Sequence, residues 1–412
     1  MPARRQKRRM NMVPFTRPDI TEAEIEAVAA VLRSGWITTG PVTARFEREL
    51  SGWMGGRPAV CVASATDALT LALRICGIGP GDEVIVPAYT YTATASAVLH
   101  VGAKPVLADS GPDGFHITAK EVERRLTSRT RAVIPVDIGG VMADYNAIRA
   151  VLEHTGFEPR NELEALVKRP LLIADAAHSF GAEQCGVKSG AAADFSCFSF
   201  HAVKNLTTAE GGAISWRLPG MDDGEISATL SLMALHGQTR TALQKENGSC
   251  DYDIRFPGWK CNMTDLQAAV GLSQLGRYGE MLRRRRETID AYDRAFSDSG
   301  LWGEAAFALR HPAGSSCHLY LALLPEEIAG ARDEILVGLR EKGVTPNVHY
   351  RPLPLLSAYR NLGYRAQDVP NAVRLYRREV SLPLSSVLAQ EEIRTVSDVF
   401  LSQVQKFLIN RG

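Results

Sequence analysis

Between residues 59 and 216 the chain alternates short apolar runs with segments of helical periodicity, and few folds accept that pattern. The runs "EVIVPA", "KPVLAD", "RAVIPV", "PLLIAD", "DFSCFSF" and "GGAISW" are rich in β-formers and bounded by Gly, Pro or Asp. "ATDALTLALRICGIG" and "ADYNAIRAVLEH" space their apolar residues as helices do. Strands and helices in alternation predict a mostly parallel sheet with right-handed connections and helices on its faces. Ligands of such folds gather at the carboxyl ends of the strands, so the residues that follow each run are the ones to inspect.

Beyond this region a helix is expected from "MTDLQAAVGL", with Thr264 as its cap and Leu266, Ala269 and Val270 facing inward. It is read as running on through "RRRRETIDAYDRAF", with Arg283 to Arg286 distributed round a solvated surface. After Gly300, "HLYLALL" alternates like a half-buried strand. "ARDEILVGLREKG" reads as a helix stopped by Gly343, and "VTPNVHY" as another strand. The last helix should bury Ile393, Val396, Phe400 and Val404. The expected division is a basic tail (1–12), a large domain (13–263), a linking helix (264–300) and a smaller α+β domain (301–412).

A formal net charge of +1 over 412 residues provides no global field for nucleic acid or an anionic membrane. No apolar run approaches the roughly 20 residues that span a bilayer. The basic start, "MPARRQKRRMNMV", lacks the apolar stretch of a signal peptide and reads as a solvated tail. Cys61, Cys76, Cys185, Cys197, Cys250, Cys261 and Cys317 are scattered and never spaced CxxC. That pattern argues against a disulfide framework or a zinc site and for a reducing, cytoplasmic setting.

Three stretches could carry chemistry. In "ASATDALTLAL", Ser64 and Thr66 open a helix, which suits plain capping and equally a phosphate cradle. In "LLIADAAHSFGA", Asp175 ends a strand, as a functional acid or as the cap of the following turn, with His178 three residues on. In "SFHAVKNLTTAEGGAI", Lys204 follows a strand and precedes Gly211 and Gly212. It is a surface lysine or, in a dry pocket, an amine of lowered pKa reactive towards carbonyls. Phosphate cradle, strand-end acid and loop lysine together meet the needs of pyridoxal 5′-phosphate (PLP).

The chain resembles the fold-type I PLP-dependent aminotransferases of nucleotide-activated sugars, the DegT/DnrJ/StrS type, from "VPFTRPDITEAEIEAVAAVLRSGWITTGP" to the closing helix. "FSFHAVKNLTTAEGGAI" is its most specific piece; "GWKCNMTDLQAAVGLSQL", "GVTPNVHYRPL" and "VSLPL" add to it. The resemblance implies a mixed, mostly parallel seven-stranded sheet and a homodimer with active sites at the interface. It implies that Lys204 forms the internal aldimine, Asp175 binds the pyridine nitrogen and Tyr91 stacks on the ring. Ala65 and Thr66 would bind phosphate with Ser199, and His178 would lie near the phenolic oxygen. A ping-pong transfer from an amino-acid donor, glutamate, to a nucleotide-linked keto sugar follows from the same likeness.

Two departures stand out. Asp137 and Gly139 in "PVDIGG" replace a histidine and a tyrosine of many relatives, and Pro354 replaces a second histidine. They touch the substrate contacts rather than the cofactor. Alternatives are an aminocyclitol (scyllo-inosose type) aminotransferase using glutamine, a keto-deoxysugar dehydratase and a PLP-binding regulator. Dehydratase relatives carry histidine in place of the lysine, so Lys204 speaks against that reading.

Overall fold

The structure is a computed structural model and describes residues 12–409 apart from positions 113, 241–250, 304 and 306. Most of the basic tail, Cys250 and the middle of "HGQTRTALQKENGSCDYDIRFPGWK" thus lie outside the described residues. Seven strands build the main sheet: β1 (Ala59–Val62), β2 (Glu83–Pro87), β3 (Lys104–Ala108), β4 (Thr130–Val133), β5 (Leu171–Asp175), β6 (Phe195–Ser199) and β7 (Gly212–Trp216). Their spatial order is β1-β7-β6-β5-β4-β2-β3. Neighbours from β6 across to β3 pair in parallel, whereas β7 is antiparallel to both β1 and β6. This is the α/β architecture that the alternation predicts.

The strands read as continuous apolar runs because helices cover both faces of the sheet. Val84, Val86, Leu171, Ile173 and Phe195 enter one core, and Ile85, Leu172, Ala174 and Phe198 the other. Helix Ala65–Ile75 follows β1 almost directly; Ser64 caps it by accepting the Asp67 amide at 3.1 Å.

A two-stranded antiparallel sheet, β8 (Tyr320–Leu323) with β9 (Glu379–Leu382), forms a separate centre. Its core holds Tyr292, Phe296, Ile335 and Leu339, together with Ile393, Val396, Phe400 and Val404 of the last helix, as their spacing predicts. Helix Arg332–Glu341 precedes Gly343, whose φ is 86°. β8 is buried along its whole length rather than on one face. "VTPNVHY" is not a strand: its two ladder contacts are isolated bridges, Val344 to Val13 and Asn347 to Ser381.

The linking helix expected over 264–300 is two helices, Asp265–Leu275 and Tyr278–Ser299. Thr264 does cap the first, in a reciprocal box with Gln267, but Leu266 and Val270 are only half-buried. Asp265 is buried in their stead. It accepts the amides of Gly40, Val42 and Thr43 at 2.8, 3.1 and 2.9 Å, so it caps helix Pro41–Trp53, which has no side-chain cap of its own. The arginine run also divides. Arg283 and Arg284 pair with Glu280 on the surface, whereas Arg285 is buried, its guanidinium donating to the carbonyls of Cys317, His318 and Leu384. No helix among the described residues is long and apolar enough to cross a membrane.

Candidate active site

The carboxyl ends of β5 and β6 and the start of helix Ala65–Ile75 open on a cavity of about 390 Å³. Ala65, Thr66, Tyr91, Asp175, His178, Ser199 and Lys204 all line it. Sequence positions up to 139 residues apart, from Ala65 to Lys204, therefore meet in one place.

Lys204 sits in the loop that joins β6 to β7. The Phe200 amide donates to Gly211 O, and the Thr208 amide to Phe200 O, both at 2.8 Å, which closes the loop into a tight bulge. Both glycines sit in close quarters, and Gly212, which faces backbone, is sterically required. A Cβ on Gly211 would fall 2.1 Å from Thr208 Oγ1, and one on Gly212 would fall 2.5 Å from the Ser64 carbonyl carbon. β7 thus runs against the very turn that starts the capped helix, and only glycine permits the approach.

Burial pushes the Lys204 amine down to about 8, against the pull of the Asp175 carboxylate. Burial pushes Asp175 the other way, above the usual carboxylate range, opposed by its hydrogen bonds and the Lys204 charge. Thr94 donates to Asp175 Oδ2 at 2.7 Å and the Ala177 amide to Oδ1 at 3.3 Å. A buried carboxylate has about four acceptor positions, so this one keeps capacity for a further N–H donor from the cavity.

His178 is buried, and the Gly139 amide donates to its Nδ1 at 3.2 Å. An amide N–H can only donate, so the ring carries its proton on Nε2, 3.0 Å from the Tyr350 hydroxyl. Burial, with the Lys204 charge behind it, holds His178 well below its ordinary pKa. Ser199 is nearly buried and Tyr91 is 60% exposed, its ring 5.8 Å from that of Tyr350.

Sequence reasoning gave no role to Thr94, His201, Glu210, His349 or Tyr350, which also bear on this site. The Tyr91-to-Thr94 spacing, one helical turn, was a usable signal for Thr94; His349 and Tyr350, which arrive from beyond β8, lie in "GVTPNVHYRPL", a stretch that carries the resemblance without marking either as a cavity residue. The departures are also explained locally. Asp137 lies outside the cavity and accepts from Ala143 N, Tyr145 Oη and Ser179 Oγ at 2.9, 2.7 and 2.5 Å, while burial pushes it up to about 6. Gly139 has φ 66° and supplies the amide to His178. Pro354 lies in the short turn Leu353–Leu355, which is tied to Ala88 O through the Leu353 amide at 2.9 Å.

A profile of the DegT/DnrJ/EryC1/StrS aminotransferase family matches residues 18–401. The chain belongs to that family. The spore coat polysaccharide biosynthesis protein SpsC of Bacillus subtilis is 35% identical over 95% of this chain and 96% of its own. The putative sugar aminotransferase Spr1654 of Streptococcus pneumoniae, in its PLP form, is 42% identical. It superposes with a TM-score of 0.91 over 96% of this chain and 99% of that one. PseC of Helicobacter pylori, an aminotransferase involved in the biosynthesis of pseudoaminic acid, is 26% identical, with a TM-score of 0.83 over 96% of this chain and all of its own. This DegT/DnrJ/EryC1/StrS member is a fold-type I aminotransferase, and its cofactor is pyridoxal 5′-phosphate.

Proposed function

We propose that this enzyme is a sugar aminotransferase that moves an amino group from glutamate to the keto carbon of a nucleotide-linked sugar, in two half-reactions at one site. The observation that carries the reading is the cavity-lining Lys204, an amine of lowered basicity opposite a buried strand-end carboxylate. The sugar and polysaccharide assignments of its relatives support the substrate class.

Bound PLP supplies an aldehyde for amine exchange and a ring that accepts electrons. The residues present fit it. Ala65 and Thr66 at the helix start, with Ser199, line the cavity where unpaired helical N–H groups favour an anion, and would hold the phosphate. Asp175 would take the pyridine N–H with its spare lone pairs, which would offset the cost of its burial. Tyr91 would stack on the ring, and His178 would lie near the phenolic oxygen. Lys204, as the free amine, moves the proton at the substrate carbon.

In this reading residues 13–263 bind the cofactor, 264–300 link and 301–412 form a smaller unit that brings His349 and Tyr350 to the cavity. The working unit is a homodimer with active sites at the interface. Ile25 and Leu32, exposed on helix Glu22–Ser34, provide apolar surface for a second copy, and sedimentation as a 44.9 kDa monomer would contradict this. The cytoplasm suits its six described, unpaired cysteines.

The test is incubation of the PLP-loaded enzyme with glutamate and a panel of 3- and 4-keto nucleotide sugars. Formation of 2-oxoglutarate together with an amino sugar is expected. Transfer to scyllo-inosose alone, or to nothing on the panel, would overturn the substrate class.

A further inference from the structure

The loop bearing Lys204 is anchored on three sides. The sheet holds it through Phe200, and Gln274 of helix Asp265–Leu275 accepts the Thr207 amide at 2.9 Å. The third anchor is Asn205, buried next to the lysine. Its Nδ2 donates to the Ser316 carbonyl at 2.7 Å. A carbonyl only accepts, so this contact fixes which way the amide faces. Asn205 Oδ1 then meets His318 Nδ1 at 2.9 Å, and because that oxygen also only accepts, His318 carries a proton on Nδ1.

His318 links the anchor to the other side of the cavity. Its ring lies 4.4 Å from that of His178, centroid to centroid. Its backbone amide donates at 2.8 Å to Gly139 O, and the amide of that same glycine sets the His178 tautomer. Ser316 Oγ donates to His178 O at 2.5 Å. Neither Asn205 nor His318 is among the residues lining the cavity.

We propose that Asn205 and His318 are positioning residues for Lys204 and His178, joined by one hydrogen bond that holds the lysine loop against the entry of β8. Burial keeps His318 uncharged, helped by His178 and the Lys204 charge, so the strut adds no cation to the cavity. The titratable and charged groups that face it are His178 at the end of β5, Lys204 in its loop, Arg285 from helix Tyr278–Ser299 and His349 beyond β8; Asp175 faces Lys204. The inference rests on Lys204 being the cofactor-binding amine.

The test reads the pH midpoint of the bound cofactor's visible absorbance in the loaded enzyme. His318→Asn places an amide N–H where Nδ1 stands, whereas His318→Gln places it at the Nε2 position. His318→Asn should keep the parent midpoint to within about 0.2 pH units, while His318→Gln and Asn205→Ala should move it by about 0.5 or more. A role in packing alone would affect both His318 variants alike, so equal midpoints for the two would overturn the proposal. An unshifted Asn205→Ala would overturn it as well, and if that variant fails to fold the His318 pair decides. A parent enzyme that gains no visible cofactor band on loading with PLP would contradict the functional reading instead, which separates the two failures.

Discussion

Two opposed effects set the protonation of Lys204, burial that favours the free amine and Asp175 that favours the ammonium. Burial wins, and the amine titrates near about 8. Because its pKa lies below the roughly 10.4 of a free lysine, the uncharged form gains population as pH rises through about 8 and not two units later. The rate at which the apo chain captures PLP should therefore rise about tenfold per pH unit below that point and level off above it. A rate still climbing at pH 10 would show that the amine is not desolvated as described. The lysine was legible in the sequence because it lies between a strand and two glycines. Its environment was not, since Thr94 and Tyr350 reach the site through the fold, 110 residues before Lys204 and 146 after it.

At the scale of elements, the strands were the most legible part, because burial on both faces leaves an unbroken apolar run that sequence displays directly. Helix boundaries and the roles of charged side chains were less so. "MTDLQAAVGL" announces its own cap, Thr264, but not that Asp265 faces inward to serve another helix 222 residues away in sequence, at Thr43. Likewise four consecutive arginines give no local sign that Arg285 alone would be buried among carbonyl groups. "VTPNVHY" has strand composition, yet its partners are single residues, Val13 and Ser381, so it never forms a ladder. The Asp265 cap carries a prediction. Asp265→Ala strands the amides of Gly40, Val42 and Thr43 and should cost about 3 kcal/mol, seen as a lowered urea midpoint. Asp265→Asn, which retains one acceptor oxygen, should lose less. An unchanged midpoint for the alanine variant would show that helix Pro41–Trp53 does not depend on this cap.

Over the whole molecule, the site is a junction. The sheet supplies Asp175, Ser199 and the lysine loop, helix Ala65–Ile75 supplies Ala65 and Thr66, and the chain beyond β8 supplies His349 and Tyr350. Such a cavity exists only when the large sheet and the later residues are assembled together, which explains why the general architecture could be anticipated while the composition of the pocket wall could not. The family assignment makes the chain an aminotransferase; the place of Lys204 in the assembled cavity is why we propose it as the amine on which that chemistry turns. Borohydride reduction of the PLP-loaded protein followed by peptide mass mapping tests this most directly. A single reduced pyridoxyl phosphate on the peptide that carries Lys204 is the predicted result, whereas an unlabelled Lys204 peptide, or the label on another lysine, would contradict it.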